Sequence, residues 1–149
     1  MCDQKSEKVR DWTYTIVLFS TPLLALFFVP YHWINNQGFT AFEWSCFAFF
    51  MVATGTGITA GYHRLWSHKA YDANVLVRLW YAYWGACATQ NSIIKWSADH
   101  RRHHKYVDDI VKDPYAATKG FWWAHMGWIL ERPFDDQVHV SNVKDLEKD

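Results

Sequence analysis

Three histidines crowd into the stretch WSADHRRHHKYVDD, residues 96–109, at positions 100, 103 and 104. Spacings of three and four bring them onto one face of a helix, within an arc of about 100°. Neutral imidazoles converging on one point suit a borderline transition metal such as iron, copper or zinc. The competing reading is a solvated polar helix, because Arg101, Arg102 and Lys105 stand among the histidines. Two more histidines sit in GYHRLWSH, at positions 63 and 68. On a regular helix that spacing sets them about 140° apart, so one centre takes both only if the helix ends or distorts between them. Otherwise each serves a different ion, or both are interfacial histidines beside Trp66. His125, in GFWWAHMGWIL, is read as a structural hydrogen-bonding residue. His32 and His139 have no supporting spacing and receive no role.

The elements that must carry these histidines are unusually apolar. Half of the 149 residues are hydrophobic and 19% are aromatic, with ten tryptophans. That length is one ordinary domain at most. Fifteen basic residues balance fifteen acidic ones, which excludes the basic footprint of a nucleic-acid binder. Cys2, Cys46 and Cys87 lie far apart with no CxxC pair, so neither a disulfide framework nor a thiolate zinc site is indicated.

From Trp12 to Phe42, and again from Trp44 to Tyr62, there is no Asp, Glu, Lys or Arg. About 20 apolar residues cross the hydrocarbon core of a bilayer. WTYTIVLFSTPLLALFFVP (12–30) and FEWSCFAFFMVATGTGITAGY (42–62) are therefore expected transmembrane helices, with PYHWINNQGFT (30–40) as the turn between them. A cleaved signal peptide fits less well: the first segment is too long, follows Asp3, Glu7 and Asp11, and precedes no small-residue cleavage site. Lys5, Lys8 and Arg10 precede the first span, Arg64 and Lys69 follow the second, and the connecting loop has no Lys or Arg. Both ends are therefore expected on the cytoplasmic side.

VLVRLWYAYWGACATQNSIIKW (75–96) is uncharged only from Leu79 to Ile94. Sixteen helical residues cover about 24 Å, short of the roughly 30 Å core. A shallow or re-entrant segment keeps both histidine groups on one face, and its Trp and Tyr content suits interfacial depth. GFWWAHMGWIL (120–130) is likewise too short to cross and is expected at the interface. The fold class is thus an all-α membrane protein, in which a transmembrane helical hairpin is followed by cytoplasmic and interfacial helices carrying the histidine boxes.

A membrane hairpin, then HxxxxH, then HxxHH, then an aromatic GFxxxHxGW segment is a specific order. Together with QNSIIKWSADHRRHH and DPY it resembles the membrane acyl-CoA desaturases of the stearoyl-CoA (delta-9) type, over Trp12 to the end. The resemblance implies two non-haem irons with His63, His68, His100, His103 and His104 as ligands. It implies removal of two hydrogens from adjacent methylenes of a long-chain acyl-CoA or other acyl thioester. O2 and two electrons would be consumed, the electrons coming from a cytochrome b5-like or ferredoxin-like donor. Asp99, Asp108 and Asp109 are candidate acceptors that fix imidazole tautomers. Asn91, Asp99 and Arg132 match polar residues that contact the CoA part of the substrate, and Gln90 and Trp96 match residues near the acyl tunnel.

Two departures carry expectations of their own. Ala98 stands where animal members of the family carry an arginine for the CoA phosphates. A second HxxHH and two further spans are absent from these residues, so the chain is expected to be the N-terminal half of a desaturase, inactive alone. The alternatives are a membrane di-iron hydroxylase of the alkane or sterol type, which inserts oxygen, and a non-catalytic histidine-rich membrane protein.

Overall fold

The computed structural model describes residues 8–133 and 140–147. Its first helix, α1 (Trp12–Asn35), begins where the Asp11 carboxylate accepts hydrogen bonds from the Thr13 and Tyr14 N–H groups at 3.1 and 3.2 Å. These donors have no carbonyl partner inside the helix. Helix α2 (Ala41–Thr56) opens with a capping box. Thr40 Oγ1 accepts from the Glu43 N–H at 3.2 Å, and the Glu43 carboxylate accepts from the Thr40 N–H at 2.7 Å. Helix α2 runs without a break into a π-helix, Gly57–Ser67.

Both α1 and the continuous 27-residue helix Ala41–Ser67 are long and apolar enough to cross a membrane. No residue of α1 is buried, and Leu26 and Phe42 are 73% and 76% exposed. Apolar surface on that scale needs a hydrocarbon partner. This is a membrane protein. The turn expected from Pro30 starts later, because Pro22 and Pro30 lie inside α1, which ends at Asn35. In a long apolar helix the single N–H that proline removes is tolerated. The reversal is made by Gln37 and Gly38, at φ of 55° and 111°.

The apolar segment read as one piece over 75–96 is two helices, α3 (Val75–Cys87) and α4 (Ile93–Lys105). The polar run between them supplies its own hydrogen bonds and left-handed backbone: Thr89 and Asn91 have φ of 56° and 75°. Ser92 Oγ then caps α4 by accepting from the Lys95 N–H at 3.2 Å. Helix α3 crosses the π-helix at backbone contact. A Cβ on Gly57 would stand 2.5 Å from Gly85 N, and one on Gly61 would stand 2.6 Å from Tyr81 Cβ.

The aromatic segment 121–130 is helical, with a π-turn over Trp123–Gly127 and a last turn, α5 (Trp128–Leu130). Strand β2 (Glu131–Pro133) follows and pairs antiparallel with β1 (Lys8–Arg10), Val9 opposite Arg132. The Asp11 N–H donates to Leu130 O at 2.8 Å, which ties the start of α1 to this segment. Residues 140–147 form a strap whose Val143 and Leu146 enter a core with Tyr62, Leu65, Trp66 and Ala98. His139 lies outside the described residues.

Candidate metal centre

The π-helix resolves the awkward five-residue spacing. Its hydrogen bonds run from residue i to i+5, and the last of them joins the His68 N–H to His63 O at 3.0 Å. The wider turn brings both side chains to one side of the chain. His68 Nε2 lies 3.1 Å from His63 Nε2 and 3.0 Å from His100 Nε2. His104 Nε2 lies 3.1 Å from His100 Nε2. The four ring nitrogens are all within 4.8 Å of one another.

Nitrogens bonded to one ion at about 2.0–2.1 Å stand about 2.9–3.4 Å apart, for angles from square to tetrahedral. The three shortest separations, His63–His68, His68–His100 and His100–His104, fall in that range. Four imidazoles are also the borderline-soft, uncharged donor set that iron, copper and zinc accept. Burial, with the neighbouring imidazoles adding to it, pushes the His100 pKa down to about 4. The same causes lower that of His68. Both therefore keep a free lone pair at neutral pH, the form a metal needs. Trp96 stacks on His100 at 4.8 Å between ring centres and supports that face.

Comparison with known proteins gives this cluster a context. The chain is 40% identical over 140 residues to a probable acyl-CoA desaturase of Schizosaccharomyces pombe, covering 93% of this chain and 28% of the relative. It is 41% identical over 103 residues to stearoyl-CoA desaturase 5 of Homo sapiens, covering 69% and 30% of the two chains. A delta(9)-fatty-acid desaturase of Caenorhabditis elegans is 51% identical over 81 residues, covering 54% and 24%. The chain belongs to the acyl-CoA desaturase family. It spans about a quarter to a third of the length of these curated relatives. No protein-family model matches it.

In this desaturase-family chain the fifth box histidine stands apart from the other four. His103 Nδ1 lies 2.9 and 3.0 Å from the two carboxylate oxygens of Asp113. Its ring centre is 6.4 Å from that of His100 and 5.5 Å from that of His104. Asp113 is fully buried and also accepts from the Asp108 and Tyr115 N–H groups, each at 2.9 Å. Burial alone would raise its pKa. The hydrogen bonds from His103, Tyr115 and Asp108 outweigh burial and hold the carboxyl below its usual range.

Asp113 is the acceptor that reading the sequence missed. Of the aspartates expected in that role, Asp108 accepts from the Ala117 N–H at 2.9 Å, and Asp109 from the Val111 and Lys112 N–H groups, both at 2.9 Å. Asp99 pairs with Arg102 at 3.1 Å and Lys95 at 3.7 Å. Asp108 and Asp109 thus shape the loop through its backbone N–H groups. The available signal was DPY, whose aspartate precedes a proline and so falls at a fixed turn.

Of the residues expected along the substrate path, Gln90 and Asn91 lie in the break between α3 and α4, and Trp96 and Asp99 lie on α4. Asn91 Oδ1 accepts from the Tyr14 hydroxyl at 2.6 Å, linking this break to α1. Gln90 Oε1 accepts from the Trp96 indole N–H at 3.2 Å. Arg132 lies on β2, and its side chain is outside the described part. Of the histidines given no metal role, His125 stacks on Phe121 at 5.5 Å between ring centres. His32 pairs with Glu43 at 2.9 Å across the hairpin tip.

Proposed function

We propose that this chain supplies box histidines and part of the substrate path of an iron-dependent fatty acyl-CoA desaturase of the delta-9 type. The observation that carries this reading is the convergence of His63, His68, His100 and His104 within 4.8 Å, at the end of a membrane hairpin, in a chain akin to named acyl-CoA desaturases. The five box histidines would hold iron, with His103 beside the group of four and its Nε2 left free by the bond to Asp113. Two non-haem irons would supply the O2-derived oxidising power that an unactivated C–H bond demands. In overall balance, a saturated long-chain acyl-CoA, O2, two electrons and two protons give a cis-alkene and two waters. The electrons come from a cytochrome b5-like or ferredoxin-like donor.

The chain's own residues position and shield this chemistry. The exposed apolar faces of α1 and α2 anchor the site to the lipid bilayer, where the acyl chain of the substrate is soluble. Trp96 stacks on His100 and donates to Gln90, and with Asn91, Asp99 and Arg132 these two are the proposed contacts to the acyl chain and the CoA. The flanking charges Lys5, Lys8, Arg10, Arg64 and Lys69 support a multi-pass arrangement with the histidines facing the cytoplasm.

The full-length gene product, supplied with an electron donor, O2 and a saturated acyl-CoA, tests this by mass spectrometry of the products. The expected product is a cis double bond that disappears in H100A, with iron in the purified protein. An alcohol instead of an alkene would make the protein a hydroxylase. Protein that takes up zinc but no iron, and turns nothing over, would favour a non-catalytic histidine site.

A further inference from the structure

Arg101 follows His100 directly, yet its guanidinium reaches away to the end of the π-helix. Nε donates to Ser67 O at 2.8 Å and Nη2 to Trp66 O at 2.8 Å. Nη1 donates to Asn142 O at 2.8 Å, and the two terminal nitrogens grip the Asp145 carboxylate at 2.8 and 3.1 Å. One side chain thus joins α4, the last carbonyls of the π-helix and the strap at 140–147. Those carbonyls have no partner further along their own helix, and a cation there also meets the negative end of its dipole.

We propose that Arg101 is a positioning residue: held by Asp145, it clamps the end of the π-helix to α4 and so sets His63 and His68 at coordinating distance from His100 and His104. The inference rests on the reading of these imidazoles as a metal site. Two of the four come from each element, so their register is the register of that joint. The strap keeps the clamp in place. Val143 and Leu146 are buried against Tyr62, Leu65 and Trp66, and Asn142 Nδ2 donates to Ala98 O at 2.9 Å. Lys69 adds a second cation on Asp145 at 2.7 Å. Hydrogen bonds from Arg101, opposed by burial and joined by Lys69, hold the Asp145 carboxyl well below its usual range, so it stays ionised. Lysine cannot replace Arg101, because one ammonium lacks the planar fork that reaches carbonyls and carboxylate together. Buried Ser97 completes the joint from α4, hydrogen-bonded to Ser67 Oγ at 3.0 Å.

Two readouts on the intact chain in lipid nanodiscs separate this clamp from the metal reading. In a C2S/C46S/C87S background, nitroxides attached at R64C and K105C report the distance between the two elements by pulsed electron resonance. Titration of the same chain without labels with Co2+ reports ligand geometry through the visible bands. The parent should give one narrow distance distribution and a stoichiometric cobalt spectrum. R101Q and R101K should broaden the distribution, alter the bands and weaken Co2+ binding about tenfold or more, while far-ultraviolet helicity stays the same. D145N keeps Arg101 and guards against a misfolded R101Q. It should shift both readouts in the same direction by a smaller amount. Parental distances in R101Q or, should that variant not fold, in D145N would overturn the clamp. A parent that binds no Co2+, combined with broadened distances in R101Q, would sustain the clamp and overturn the metal reading instead.

Discussion

An imidazole offers a metal only the nitrogen that is not already committed, and the commitment of His103 is visible. Its Nδ1 faces both oxygens of buried Asp113, which requires a proton on Nδ1 and leaves the Nε2 lone pair free. The carboxylate also makes that lone pair a stronger donor. Replacing Asp113 by Asn keeps the shape but removes the charge, and the amide can turn its NH2 towards the ring. D113N is expected to weaken retention of metal about 10- to 100-fold, read by competition with a coloured chelator. H32A, at the far hairpin tip, should leave retention unchanged. Equal retention in D113N and the parent would show that His103 takes no part in metal binding. The three histidines of HxxHH could be read from spacing alone, since three- and four-residue steps share a helix face. Their division into His100 and His104 on one side and His103 on the other could not. That division depends on a loop carboxylate ten residues away, and no periodicity links the two.

At the level of elements, the two boxes meet because the second membrane helix ends as a π-helix. Counted at 3.6 residues per turn, His63 and His68 diverge, and the sequence signals a distortion only as a condition for their meeting. The cause is packing against α3, in contacts distant along the chain. Gly57 and Gly85 bring the two backbones together, and a Cβ on Gly85 would overlap the ring of buried Tyr62, the residue before His63. G85V is therefore expected to cost about 1–3 kcal/mol by overpacking, and to loosen metal binding because the strain falls one residue from a box histidine. Thermal unfolding in detergent and the same chelator competition measure the two effects. G55A, two residues before the π-helix begins and with nothing within 4 Å of its added methyl, is the control and should leave metal binding unchanged. If G85V melts and binds like the parent, the glycine contact does not shape the site. Helix boundaries were less legible than helix existence for a similar reason. Pro30 reads as a breaker locally, but α1 carries it through, and the polar ATQNS run divides what hydropathy joins.

On the scale of the whole molecule, α1 leads away from β1 and α2 returns, so the elements that carry the box histidines gather at the end where the hairpin starts. The Asp11 bond to Leu130 O and the β1–β2 pair fasten the segment 121–133 to that end. Helix α4 packs on the π-helix, where the second span finishes. The hairpin itself was plain in the sequence, because two charge-free runs with a polar turn between them admit few other folds. The gathering at one end was legible only through the short third apolar segment, which lacks the length to carry α4 across. The flanking Lys and Arg support the proposal that this face is the cytoplasmic one. In a C2S/C46S/C87S background, single cysteines introduced as D72C, K105C and N36C occupy exposed positions after the π-helix, at the end of α4 and at the hairpin tip. A membrane-impermeant maleimide applied to sealed vesicles should label D72C and K105C from the cytoplasmic face alone, and N36C from the opposite face alone. Labelling of D72C and K105C from different faces would mean that α3 crosses the membrane, and that the four imidazoles cannot share one centre. Labelling of both from the face opposite the cytoplasm would keep the cluster and invert the topology, placing it out of reach of a cytoplasmic electron donor.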